Sequence, residues 1–128
     1  MRVLPLLTVR DVEASSRFYQ QLLDCRSGHG GKEYERLVRN GDVLLQLHRW
    51  EAHEHPGMGD PDAAPHGYGV ALFVETDAFD AAVARARAVH AKILDGPKVN
   101  PNAKHRELWI HDPDGYTVVV CSPRGDVG

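Results

Sequence analysis

The chain has 128 residues and a formal net charge of −3, a length that fits one domain and excludes a large multidomain enzyme. This weakly acidic balance offers no broad electrostatic surface for nucleic acid, and no segment is apolar for long enough to span a membrane. Two cysteines are too few for the disulfide framework of a small secreted domain, so we expect a cytoplasmic protein with both thiols free.

The first half of the chain predicts a strand, a helix and a hairpin. Asp11 is placed to cap the helix, whose apolar residues recur at helical spacing. The dipeptide Asn40-Gly41 is the strongest hairpin signal in the chain. In chain order, the predicted elements are the strand Val3–Val9, the helix Val12–Leu23, and the strands Tyr34–Val38 and Asp42–His48.

The second half repeats this order after a loop at 51–67 that is rich in proline and glycine. Turns are predicted at Gly96-Pro97 and at Asn100-Pro101-Asn102. The predicted elements are the strand Gly69–Thr76, the helix Asp77–His90, and the strands Arg106–His111 and Tyr116–Ser122. We therefore expect one domain, 1–128, built from half-modules 2–57 and 66–124, because neither half is long enough to bury both faces of its sheet.

Two stretches resemble the vicinal oxygen chelate superfamily, which includes glyoxalase I, extradiol dioxygenases, and the fosfomycin and bleomycin resistance proteins. The opening LPLLTVRDVEASSRFYQQLLDC and the closing RELWIHDPDGYTVVV are both typical of that superfamily. The resemblance covers essentially the whole chain and is closest to bleomycin-resistance-like members. It implies an α+β fold of paired βαβββ modules, with a curled mixed sheet around a cavity, in a protein that forms a homodimer.

The resemblance also assigns four metal-ligand positions, which fall at Leu4, Gln46, Gly69 or Ala71, and Val119. Three of these positions carry side chains that cannot bind a metal, and Gln46 is a weak ligand at best. We therefore expect the usual metal site to be absent and no cofactor to be required, although a divalent metal at another site stays open.

Strand alternation indicates what lines the cavity in place of a metal, because side chains two residues apart share a face. The lining is apolar and aromatic with a few polar groups, which is typical of a small-molecule pocket. Its predicted ligand-binding residues are Gln46, His48, Trp50, Phe73, Glu107, Trp109 and Cys121. Leu108 and Ile110 are assigned to the helix side of their strand.

Each of these residues also has a structural interpretation. His48 could handle protons near neutral pH or could simply close a strand by bonding to the backbone. Glu107 could contact a ligand or could pair with Arg106 or a lysine at the sheet rim, with Trp109 in the core. Cys121 could be a reactive thiol or inert packing.

The chain has eight histidines, and their spacing suggests a second kind of site, a metal site built from histidines. His48, His53 and His55 give the spacing H-x4-H-x-H, and His66 lies further along the same loop. This pattern could hold zinc or nickel, but we expect a solvated loop because no strand or helix fixes the spacing. A site of His48, His105 and Glu107 is a further option, although we expect His105 to lie on the face opposite Glu107.

Three functions fit these observations. We favour a binding protein that sequesters an aromatic or cationic organic ligand, as antibiotic resistance proteins of this superfamily do. The alternative is a superfamily enzyme of lyase, isomerase or dioxygenase type, with a displaced metal site or with acid–base chemistry by His48 and Glu107. A third option is an interaction module whose own side chains fill the cavity.

Overall fold

Strands and helices follow the same order in both halves of the chain. The computed structural model describes residues 1–50, 55–63 and 66–128, and it divides the chain into two units, Met1–Ala64 and Pro65–Gly128. The first unit contains β1 (Leu6–Val9), α1 (Val12–Leu23), β2 (Arg26–Ser27), β3 (Tyr34–Arg39) and β4 (Asp42–Arg49). The second contains β5 (Ala71–Glu75), α2 (Phe79–Ala88), β6 (Lys92–Asn100), β7 (His105–His111) and β8 (Thr117–Cys121).

Each unit is therefore a βαβββ module, which confirms the predicted α+β fold of paired modules. The sheets have the orders β1-β4-β3-β2 and β5-β8-β7-β6, so the first strand of each module pairs in parallel with the last. The other neighbouring strands are antiparallel. Among the described residues, neither sheet closes on itself.

The strand β1 is shorter than predicted. It begins at Leu6 rather than at Val3, and both Val3 and Leu4 are exposed. Pro5 lies just before the strand and has no N–H to donate to a ladder, although its carbonyl still accepts from the N–H of Gln46 at 2.8 Å.

The helix α1 has the bounds that its sequence pattern predicts. Asp11 caps it, because the Asp11 Oδ1 accepts from the N–H of Ala14 at 3.0 Å. Asp24 ends it in the left-handed conformation, at φ 50°. Its buried face, which includes Tyr19 and Leu22, packs against β3 and β4.

Replacing Asp11 with alanine is expected to lower the free energy of unfolding by about 1 kcal/mol, since the N–H of Ala14 loses its acceptor. Urea denaturation measures the change. Asp77→Ala is the matched control, because the second helix has Ala78 at its N-cap and no side-chain cap there. Equal losses for the two variants would show that Asp11 does not act as a cap.

The strand β6 was not predicted, because Gly96-Pro97 favours a turn. The turn predicted at Asn100-Pro101-Asn102 is present and follows the end of this strand. Two register shifts between β6 and β7 accommodate Gly96-Pro97 within the strand. Gly96 has φ +92°, and a Cβ there would lie 2.5 Å from the carbonyl oxygen of Glu107. Proline is tolerated because β6 lies at the edge of its sheet. The two-residue strand β2 was missed as well.

The helix α2 is shorter than the predicted Asp77–His90 and covers one face of the second sheet. The Arg106 guanidinium lies 4.8 Å from the centre of the Phe79 ring, which places this side chain of β7 on the helix side. Leu108 and Ile110 share that parity and are fully buried, as predicted. Among the described residues, no helix is long and apolar enough to cross a membrane.

Candidate functional site

The other face of the second sheet carries four of the predicted site residues, Phe73, Glu107, Trp109 and Cys121, and we call it the Trp109 face. Val119 lies between Phe73 and Trp109, with direct pairing across three strands. The Phe73 ring meets the Trp109 ring edge-on, with their centres 5.7 Å apart. Because 53% of Phe73 is exposed, this pair forms an aromatic wall that solvent can reach.

Glu107 anchors this wall through three hydrogen bonds. Its Oε1 accepts from Trp109 Nε1 at 2.9 Å, and its Oε2 accepts from Asn100 Nδ2 at 3.0 Å and from His105 Nε2 at 2.6 Å. Burial raises the pKa of Glu107, since only 3% of it is exposed, but these hydrogen bonds outweigh burial and hold the pKa below its ordinary value. The site therefore contains a fixed carboxylate that is ionised at neutral pH.

Arg106 and the lysine nearest to Glu107 form ion pairs with other acids. Arg106 contacts Asp80 at 3.0 Å and Asp126 at 3.6 Å. Lys98, which lies beside Glu107 across the strands, is bonded to Asp95. The hydrogen bonds to Glu107 thus come from Trp109, Asn100 and the His105 imidazole, while Lys98 acts on it only through its charge.

The expectation that His105 lies opposite Glu107 is wrong. The two residues are two apart on β7, so strand alternation puts them on the same face, and their side chains are in contact. His105 Nδ1 is buried and has no hydrogen-bond partner among the described residues. His48, the third member of that suggested site, belongs to the first unit.

Cys121 is poorly suited to be a nucleophile. It is buried, and burial raises the pKa of its thiol, as do the neighbouring charges of Glu75 and Glu107. The thiol is therefore protonated at neutral pH, when only the thiolate is strongly nucleophilic. Its position on β8, paired with Glu107, makes it part of the floor of the Trp109 face.

In the first unit, Gln46 and His48 lie on one face of β4, as predicted. Gln46 Oε1 accepts from the Tyr34 hydroxyl at 2.6 Å, and its Nε2 donates to the carbonyl of Leu4 at 3.2 Å. His48 is buried, with Nδ1 2.9 Å from the Arg49 carbonyl oxygen and its ring edge-on to Tyr34.

The other candidate residues, Trp50 and the loop histidines, have different surroundings from one another. Trp50 follows β4 and is buried, with 9% exposed. His55 approaches His48, with 3.3 Å between their Nε2 atoms. His66 stacks on Tyr116 in the second unit instead, and His53 lies outside the described residues.

The four positions that the resemblance assigned to metal ligands do not fit a metal. Leu4, Ala71 and Val119 have no ligating atom, and the Gln46 oxygen already accepts from Tyr34. Within residues 1–50, 55–63 and 66–128, no group of three or more histidine, cysteine, aspartate or glutamate side chains is arranged to hold a metal ion.

Sequence reasoning missed two residues that position the site. Tyr34 could not have been found from the hairpin, because the turn at Asn40-Gly41 alone would place it opposite Leu47, and a register shift between Leu37 and Val38 places it opposite His48. Asn100 could not be found either, since its strand carries turn signals.

The order and pairing of the strands and helices are those of the glyoxalase type of paired βαβββ modules. The chain belongs to the Glyoxalase/Bleomycin resistance protein/Dioxygenase superfamily, whose family model matches residues 3–120. This membership confirms the resemblance inferred from the opening and closing segments. A comparison with curated proteins finds no match.

Solved structures share the fold at low sequence identity. A glyoxalase/bleomycin resistance protein/dioxygenase family enzyme from Burkholderia phytofirmans PsJN is 18% identical, with a TM-score of 0.76 over 93% of this chain and 95% of its own. A hypothetical protein from S. aureus is 14% identical, with a TM-score of 0.75 over 95% and 93%. A virulence protein from Salmonella typhimurium is 19% identical, with a TM-score of 0.70 over 96% and 97%. At these identities the likeness concerns the fold alone.

Proposed function

We propose that this protein binds a small aromatic cation on the Trp109 face, without the metal ion of the superfamily's usual site. The observation that carries the proposal is the exposed Phe73 ring against a Trp109 indole that the ionised Glu107 holds in place. Aromatic faces attract cations, and a rigid indole loses little entropy when a ligand stacks on it.

The charges beside the aromatic wall favour a cation over a neutral ligand. Glu75, Cys121 and Glu107 form the next row across the strands, two residues from the row of Phe73 and Trp109. Two residues span about 7 Å along a strand, roughly the width of a fused ring. A flat ligand on the wall could therefore place a positive group near exposed Glu75 and the buried charge of Glu107.

Turnover by Glu107 has less support. A general acid or base works best with a pKa near the operating pH, whereas the pKa of Glu107 is lowered from a value that is already acidic. Its two oxygens are also occupied by three donors. We therefore propose binding by this face rather than catalysis by it.

Phe73→Ala is expected to weaken binding of N-methylquinolinium roughly tenfold, because the exposed half of the aromatic wall is lost. Isothermal titration calorimetry with EDTA present measures the affinity, and neutral quinoline is the matched ligand. Tyr68→Ala is the control, since Tyr68 is also an exposed aromatic residue of the second unit. Equal affinities for Phe73→Ala and the wild type, or equal binding of the neutral ligand, would contradict the proposal.

A further inference from the structure

We propose that His48 and His55 form a binding site for a divalent transition metal ion in the first unit. This site would be distinct from the superfamily's usual one, because neither histidine falls at an assigned ligand position. It is displaced along β4 from Gln46, the nearest of those positions.

The distance between the two imidazoles suits a shared metal. Two nitrogens bound to one zinc ion at about 2.05 Å in tetrahedral geometry lie about 3.3 Å apart. The Nε2 atoms of His48 and His55 are separated by 3.3 Å, and their rings are nearly perpendicular, at 81°. Without a metal ion, the two Nε2 atoms lie within hydrogen-bond distance of each other.

The environment of His48 also suits a metal ligand. Its Nδ1 lies 2.9 Å from the Arg49 carbonyl oxygen, so Nδ1–H donates there and the lone pair is left on Nε2. Metal-binding histidines typically donate their second ring N–H to a carbonyl or carboxylate in this way. The strand fixes His48 in register between Thr8 and Tyr34, so one ligand is rigid.

His55 completes the pair from the exposed loop and leaves a path for the ion. Residues 1–50, 55–63 and 66–128 supply no group of three such ligands, so within this part of the chain the site would have two protein ligands. Such a site should bind more weakly than a structural zinc site with four protein ligands. The affinity for divalent ions should follow the usual order, with Cu²⁺ tighter than Zn²⁺.

Calorimetric titration of the full, untagged and metal-stripped chain with Zn²⁺ tests the proposal. We expect one ion per chain, and at least a tenfold loss of affinity in His55→Ala. This variant changes an exposed loop residue and should fold normally. His66→Ala is the matched control, because His66 is a loop histidine that stacks on Tyr116 in the other unit.

His48→Ala should also lose zinc, with a thermal melt to establish that the variant folds, since His48 is buried. Zinc binding of wild-type strength in His55→Ala, or an equal loss in His66→Ala, would overturn the proposal. The titration is independent of the ligand on the Trp109 face, whose binding is measured in EDTA.

Discussion

Glu107→Ala is expected to lower the free energy of unfolding by about 3 kcal/mol. The substitution leaves three donors without their acceptor: the Trp109 indole, the Asn100 amide and His105 Nε2. Hydrogen bonds to a charged group contribute about 1.5–3 kcal/mol each, and donors left buried without a partner add a desolvation cost. The full sum is not expected, because a cavity at this position lets the donors find water.

Urea denaturation at neutral pH measures this loss of stability. Two further variants show whether the loss comes from the hydrogen bonds of Glu107. Glu107→Gln should lose less, since its amide oxygen still accepts a hydrogen bond and His105 can present an unprotonated nitrogen to the new amide group. Glu75→Ala is the control, an exposed glutamate on the same face whose loss should cost less than about 0.5 kcal/mol. A Glu107→Ala protein as stable as Glu75→Ala would show that the network does not hold the Trp109 face together.

Glu35→Ala is expected to have a similar effect, about 3 kcal/mol, in the first unit. The Glu35 side chain is buried on β3 and accepts from two hydroxyls, of Ser16 at 2.9 Å and Ser27 at 2.7 Å. It also accepts from the backbone N–H groups of His29, at 3.1 Å, and Gly30, at 2.8 Å. These bonds fix the segment between β2 and β3. Removal of the Glu35 side chain should therefore loosen that segment as well as destabilise the unit.

Glu35 also makes stability depend on pH. Burial raises its pKa, but the hydrogen bonds from Ser27, Gly30, Ser16 and His29 outweigh burial and lower the pKa below its ordinary value. A carboxyl group whose pKa is lower in the folded than in the unfolded protein stabilises the fold above its unfolded pKa, and this stabilisation is lost as the pH falls through the folded pKa.

The wild type should therefore lose stability on acidification more steeply than Glu35→Gln, which cannot ionise. Urea midpoints from neutral pH into the acid range measure the difference, with Glu33→Gln as the exposed control. Parallel pH profiles for the wild type and Glu35→Gln would show that the folded protein does not perturb this carboxyl group.

Local signals in the sequence predicted most elements of the fold, but not the two strands that complete the modules. Asp11 and the apolar periodicity of α1 specify a helix that tertiary contacts do not alter. The strand β6 carries Gly96 and Pro97, residues that favour turns, and it exists because β7 offers a ladder that accommodates them through register shifts. The resemblance to a family of βαβββ modules implied both missing strands, which local patterns could not.

The alternation of side chains along the strands predicted which residues share the Trp109 face. It could not predict the hydrogen bonds between them, because these depend on contacts with other strands. Phe73 and Trp109 were grouped correctly from their positions on the strands. The role of Glu107 as an acceptor for three donors was not predictable, because one donor, Asn100, comes from β6. The approach of His55 to His48 depends on the path of a loop that has no periodic pattern.

The most direct test of the proposed function is to follow the two indole N–H signals in a ¹H–¹⁵N correlation spectrum, assigned with Trp50→Phe. N-methylpyridinium, N-methylquinolinium and N-methylacridinium would be titrated in turn with EDTA present. We predict that at least one of these cations shifts the Trp109 Nε1–H signal saturably, because that group links the aromatic wall to Glu107, while the signal of buried Trp50 stays in place. An unchanged Trp109 signal with all three cations, or a saturable shift confined to Trp50, would contradict binding at the Trp109 face.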